Sequence, residues 1–491
     1  MAKEQKTCAV IGSGIAGIAV AIRMANKGYS VSVFEANDFV GGKLSVESSK
    51  GYSFGMGPSV FTMPEYVDEL FELSGKDPRN YYRYKLLDPA YRYFYEDGSV
   101  LDAHDGKEGF ATYMAGNTGD SKADILAYLE SSERVYHLTA EVFLHNSIHR
   151  IKNYFTRSVA KGLWNFGKIG AFKTMDSANK QAFQDPRLVQ LFNRYATYNG
   201  SSPYLSPATL NLIPYVEIIR GAYYPEGGMY SIVRSLVKLA GELGVRFHLS
   251  TRVEQILIAN KKVTGIRTEK ESLPFDVVIS NMDIYQSYHK LIPTLKKPTR
   301  ILAQPKSSSG IIFYWGVKAT HKELQLHNIF FSDNYPEEFE AIFKHKTIYH
   351  DPTIYLNITS KHTESDAPTG CENWFAFINV PNNEGQDWDQ LIAEARSHVI
   401  AKINRMLKTD IGPLIETEII YDPRIIESRT SSAFGAIYGN SSNNKFAAFF
   451  RHANFSKEID NLYFCGGSVH PGASVPLCLL SAKITAGLVK K

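Results

Sequence analysis

The chain is poor in the features that would set its class at once. Its four cysteines, Cys8, Cys371, Cys465 and Cys478, stand far apart with no C-x-x-C pair. That spacing offers neither a disulfide framework nor a cysteine-held zinc site, no metal is expected, and a reducing cytoplasm is the compartment it fits. A net charge of +4 over 491 residues is too slight to argue for a nucleic-acid partner. There is no internal repeat, no low-complexity tract and no charged tail. What is there is an ordinary globular composition, 44% hydrophobic and 12% aromatic, with length enough for two domains or one large composite.

The most apolar stretch lies within CAVIGSGIAGIAVAIRMANKGYSVSVFEA, residues 8–36. With Lys3 and Lys6 before it, the run 8–22 has the length of an export-signal core. Gly12, Gly14 and Gly17 interrupt it, no polar cleavage region follows, and Arg23 closes it short of the ~20 residues of a membrane span. A phosphate cradle accounts for each residue instead. A buried strand at 8–11 leads to Gly12 for a tight turn, Gly14 for close approach to a pyrophosphate and Gly17 for close helix packing. The amides of Ile15 and Ala16 then face phosphate from a helix N-terminus. Glu35, at the end of the next strand, stands where a carboxylate accepts ribose hydroxyls. The alternative is a strand-turn-helix packed through glycine with no ligand.

The α/β pattern recurs at 227–291 and again at 461–491, so a nucleotide domain drawn from chain-distant pieces is expected: 1–65, 225–295 and 455–491. Residues 66–224 and 296–454 form the remainder. Within it 66–220 reads as mostly helical, whereas 311–317, 353–359, 374–380 and 417–422 read as strands, giving a mixed sheet roofed by helices. The predicted class is α/β, a Rossmann-type dinucleotide domain from discontinuous segments with a second domain of mixed sheet and helices.

Beyond Glu35 come Gly41-Gly42-Lys43 and Gly57-Pro58-Ser59, which resemble the flavin-binding amine oxidase and carotenoid desaturase superfamily. GYSFGMGPSVFTMP (51–64), RYATYNGSSPY (194–204), YYPEGGM (223–229), SNMD (280–283) and NLYFCGGSVHPGASVPLCLLSAKITAGL (461–488) resemble the bacterial-type phytoene desaturase family from end to end. The resemblance implies FAD as cofactor. It places Gly42 under the cofactor, Lys43 near its pyrophosphate or ribityl chain, Pro58 and Ser59 beside it, and Val253 and Asn281 on the adenine side. Gly467 and Ser468 would meet the ribityl chain, and Ser474, Val475 and Pro476 would open a helix against the ring. Lys43 also reads as a solvated turn lysine, Val253 as a plain strand residue and Asn281 as an ordinary turn residue. Two positions depart from the family pattern: Lys43 where an arginine is usual, and Gly55 where an aspartate near the active face is usual.

For activity, the resemblance implies a carotenoid desaturase using hydride transfer to flavin N5 with loss of a neighbouring proton. GPSVFTMP and RYATYNGSSPY resemble the branch that introduces a 3,4 double bond into 1-hydroxylated or monocyclic carotenoids. A multistep phytoene-type desaturase, a redox-neutral isomerase and a non-catalytic flavin or carotenoid carrier are the alternatives. Arg194, Tyr198, Tyr223 and Tyr224 are tunnel or mouth residues in this reading, or else structural. No catalytic residue is assigned; His470 titrates usefully but lies in a flavin-turn motif. The electron acceptor is oxygen or a quinone. Residues 142–175 carry six cations and no acid among regularly spaced Ile and Phe, which suits a helix on the inner face of the cytoplasmic membrane, or one packed on the substrate domain.

Overall fold

The computed structural model describes residues 5–150, 170, 172–444 and 451–490. Short apolar strands too buried to alternate are the mark of a parallel sheet covered on both faces, and Thr7–Ile11, Ser30–Phe34 and Val277–Ser280 have that character. They join Arg246–His248 and Leu462–Phe464 in one five-stranded sheet. Its order runs Leu462–Phe464, Val277–Ser280, Thr7–Ile11, Ser30–Phe34, Arg246–His248, every neighbour parallel. Helices Ile15–Asn26, Tyr230–Glu242 and Val475–Leu488 pack on it through one apolar cluster that includes Ile18, Ile22, Leu236 and Leu480.

A second sheet has seven strands. In order across the sheet they are Ile415–Tyr421, Ser309–Val317, Glu372–Val380, Ile354–Asn357, His327–Phe330, Tyr91–Phe94 and Val100–Ala103. All pairs are antiparallel except that of His327–Phe330 with Tyr91–Phe94. Four of these strands fall on the sequence-predicted runs. The last two lie in 66–220, where helices predominate as expected and no strand is anticipated: YRYFY alternates with Arg92 outward and buried tyrosines inward, and a four-residue alternation is easily overrun by the helical pattern around it. Helix Trp388–Leu407 covers one face through Leu391, Ala395, Val399 and Ile403. The other face is turned to the cavity described next.

Candidate functional site

At the first turn the backbone is shaped by missing side chains. Gly12 has φ +94°, and a Cβ on Gly17 would stand 2.1 Å from the Gly12 carbonyl oxygen. One on Gly14 would stand 2.8 Å from Asn281 Oδ1, and one on Gly42 3.2 Å from the Gly14 Cα. Helix Ile15–Asn26 has no side-chain cap and no acid in its first turn. The N–H groups of Ile15 and Ala16 and the positive end of the dipole are therefore left for an anion. The cradle fits a pyrophosphate.

Glu35 follows the Ser30–Phe34 strand and is buried. Its Oε2 accepts from Ser13 N and Ser13 Oγ, both at 2.8 Å, and its Oε1 from Asn37 N and Asn37 Nδ2, both at 2.9 Å. A carboxylate has about four lone-pair positions. Two of these four donors are side-chain groups, Ser13 Oγ and Asn37 Nδ2, whose places a ribose diol would take; Asn37 Nδ2 also donates to the Arg429 carbonyl at 3.2 Å. Asn281 ties the turn together: its Oδ1 accepts from Gly17 N at 3.1 Å and its Nδ2 donates to the Cys465 carbonyl at 3.0 Å.

The cradle opens into a cavity of about 480 Å³, within the roughly 300–1,000 Å³ of ligand and cofactor sites. Gly12, Gly14, Ile15, Ala16 and Glu35 line it from the first βαβ unit; Gly42, Lys43, Pro58 and Ser59 from the segment after it. Val253 and Asn281 line it from the middle of the chain, Gly467, Ser468, Ser474, Val475 and Pro476 from near its end. Gly17 stands behind the turn, where its role is helix packing. Lys43 Nζ donates to the Ile437 carbonyl at 2.7 Å. Burial lowers its ammonium pKa while the neighbouring Asp283 charge works against that fall. Asp283 is pushed up by burial and partly held down by the Tyr285 amide, Lys306 and Lys43. Ser474 caps helix Val475–Leu488 by accepting from Leu477 N at 3.2 Å.

The far wall of the cavity is one row of the seven-stranded sheet. Tyr421 pairs with Ile312, Ile312 with Phe377, Phe377 with Tyr355, Tyr355 with Ile329, and Ile329 with Tyr93. The first five line the cavity. At ~4.8 Å per strand spacing, Tyr421 to Ile329 spans about 19 Å of almost wholly apolar surface. Beside its end stand Arg194 and Tyr198, both in the cavity wall. Arg194 Nη2 donates to Glu217 Oε1 at 2.9 Å, and its guanidinium lies over the rings of Tyr91, Tyr93, Tyr195 and Tyr198. Aromatic faces and a carboxylate together keep a buried cation compensated.

Two of the expected site residues fall elsewhere. Tyr223 and Tyr224 do not line the cavity: they sit on the Tyr223–Pro225 strand, Tyr223 Oη donating to the Arg220 carbonyl at 3.1 Å and Tyr224 Oη 2.6 Å from Thr363 Oγ1. Gly55 is exposed at the end of the Tyr52–Gly55 strand, and only its neighbour Met56 reaches the cavity. His470 is buried with Nε2 2.8 Å from the Asn146 carbonyl and is not a lining residue. Residues 151–169 and 171 of the basic stretch 142–175 lie outside the described residues. In the other direction, sequence reasoning missed Tyr91, Glu217, Tyr355 and Glu338. A lone Glu217 inside the apolar run 210–219 was the available signal, since an unpaired acid does not survive burial.

The comparisons agree with this geometry. The family model of the flavin containing amine oxidoreductases matches residues 15–490. A 1-hydroxycarotenoid 3,4-desaturase of Flavobacterium sp. (strain P99-3) is 48% identical over 99% of both chains. A 4,4'-diapolycopene oxygenase of Methylomonas sp is 34% identical over 97% of this chain and 96% of its own. Among solved structures, an oxidoreductase from Methanosarcina mazei superposes with a TM-score of 0.64 at 15% identity, covering 97% of this chain and 99% of that one, a likeness of fold. The chain belongs to the flavin containing amine oxidoreductase family and is an FAD-dependent oxidoreductase.

Proposed function

We propose that the chain is a carotenoid desaturase that forms the C-3,4 double bond of a 1-hydroxylated or monocyclic carotenoid. The observation that carries this is the 48% identity, across 99% of both chains, to the relative named 1-hydroxycarotenoid 3,4-desaturase. The site supports it: the residues assigned to FAD and an apolar row about 19 Å long share one cavity. Bound FAD supplies the two-electron, hydride-accepting chemistry that no side chain offers to an unactivated allylic C–H. The chain's own part is to hold the dinucleotide at the glycine cradle and Glu35, and to lay the polyene along Ile312, Phe377 and Tyr355. It also keeps water from the reacting carbons, so that alignment replaces a chance encounter.

No side chain is assigned as proton acceptor. The chain Ser59–Tyr355–His327 reaches the cavity, with Ser59 Oγ 2.6 Å from Tyr355 Oη and Tyr355 Oη 2.8 Å from His327 Nδ1. Burial pushes His327 down to about 3, which makes it too weak a base for that task. The division into an FAD-binding part (1–65, 225–295 and 455–491) and a substrate part (66–224 and 296–454) belongs to the same reading. It is supported by the parallel sheet drawing its strands from the first set and the seven-stranded sheet from the second.

Anaerobic addition of a 1-hydroxylated linear carotenoid to the oxidised, purified holoprotein tests the reading. The flavin's visible absorbance bleaches if the proposal holds. Bleaching by phytoene alone gives the function to the multistep desaturases, and bleaching by neither leaves a redox-neutral isomerase or a carrier.

Peripheral attachment to the inner face of the cytoplasmic membrane through residues 142–175 completes the proposal, supported by six cations and no acid in that stretch. Among the described residues no helix is long and apolar enough to cross a membrane. Co-flotation with anionic but not neutral vesicles is expected, and failure to float with either contradicts it.

A further inference from the structure

The apolar row ends on a polar cluster that is needless for holding a hydrocarbon. Glu217 is buried and accepts from Arg194 Nη2 at 2.9 Å, from Tyr195 Oη at 2.7 Å and, through its other oxygen, from Tyr198 Oη. A carboxylate accepts only, so the proton of Tyr198 is committed to Glu217. Tyr198 Oη is 2.8 Å from Tyr91 Oη, and the proton of that bond therefore comes from Tyr91. Tyr91, in the cavity wall, is left with an oxygen whose remaining lone pairs face no donor within this chain of hydroxyls. A hydroxyl reaching in from the cavity is the donor that this oxygen lacks.

We infer that Tyr91, Tyr198 and Arg194 form a recognition site for a hydroxyl on the terminal carbon of a linear polyene. The substrate hydroxyl donates to Tyr91 Oη, and the Arg194–Glu217 pair fixes the direction of the protons. The inference rests on the desaturase reading and deepens it. It also meets a constraint of that reading, because a hydroxyl at C-1 is only two bonds from the C-3,4 bond and its partner must lie close to the reacting carbons. The cluster satisfies this: Ser59, from the loop assigned to the cofactor, touches Tyr355 Oη at 2.6 Å, and the Tyr355 and Tyr91 rings are neighbours at 6.5 Å. An unhydroxylated chain leaves the Tyr91 oxygen without that donor and is discriminated against, as a site built for a hydroxyl rejects the analogue lacking it.

Three linear polyenes of equal conjugation, bearing a terminal tertiary hydroxyl, its methyl ether or plain hydrogen, are compared with purified holoprotein by kcat/KM. The parent protein prefers the alcohol by tenfold or more. The ether, with no proton to give Tyr91, falls with the plain chain, a result that needs no mutation. Tyr91→Phe and Tyr198→Phe each cut the preference for the alcohol by about tenfold, mostly through KM. Equal rates on alcohol and ether in the parent, or variants that slow all three polyenes alike, overturn the recognition site while leaving the desaturase reading intact. A parent that turns over none of the three overturns the desaturase reading itself.

Discussion

Glu35 shows how much one carboxylate is asked to do. It closes the Ser30–Phe34 strand, anchors the glycine turn through Ser13 and accepts the Asn37 amide, and it is assigned to the ribose. Charge-assisted hydrogen bonds contribute about 1.5–3 kcal/mol, so Glu35→Ala weakens FAD retention by roughly 10- to 100-fold. The ratio of flavin to protein after gel filtration reads this out, and equal ratios in variant and parent refute the assignment. Lys43 is a second case. Where the family pattern has arginine, its single ammonium is spent on the Ile437 carbonyl beside Asp283, a point contact where a guanidinium would offer a fork.

Between elements, Asn281 is the joint on which the dinucleotide fold turns. It bonds a helix N–H on one side and the end of the Leu462–Phe464 strand on the other, from a third strand of the same sheet. Asn281→Ala strips partners from two buried backbone groups and costs about 1–3 kcal/mol. A lower urea midpoint with loss of flavin checks this; an unchanged midpoint contradicts it. The sequence could not show this joint, because its partners lie 264 and 184 residues away and a short SNMD reads equally as a turn. What was legible had local cause: the glycine turn, the strand Ser30–Phe34 and the helix Tyr230–Glu242 follow from spacing and stops within each segment. The cavity's far wall was not legible. Its row is made by register between strands from 91 to 421, and register is set only when the sheet closes. For Tyr223 and Tyr224 the structural alternative is the one their contacts support, with packing against Tyr84, Thr363 and His362.

As a whole the molecule buries bases that water would keep titratable. Burial pushes His327 down to about 3 and His452 and His470 to about 4. All three are neutral in the fold, whereas the unfolded chain protonates them near 6.5. Between about pH 6.5 and 4 the unfolded state therefore binds more protons, and stability falls as pH falls, by up to ~1.4 kcal/mol per pH unit for each residue. Asp351 and Glu372, held below the usual carboxylate range by Lys402 and by His321 with Lys361, add to the loss at lower pH. Asp283 and Glu338, raised by burial, oppose it, but lysines and hydrogen bonds to Thr353 and Ser332 return part of their shift. The urea midpoint at pH 5 is expected to lie well below that at pH 7.5, and equal midpoints contradict the burial of neutral imidazoles.

The same whole places a dinucleotide cradle and a long apolar wall in a single cavity, and the central claim is that an oxidation of a hydroxylated polyene happens between them. Expression in cells that accumulate a 1-hydroxylated carotenoid, with mass and absorption of the extracted pigment measured, tests it directly. The expected product is lighter by two hydrogens and absorbs at longer wavelength. Pigment of unchanged mass, or desaturation of phytoene with the hydroxylated precursor untouched, contradicts it.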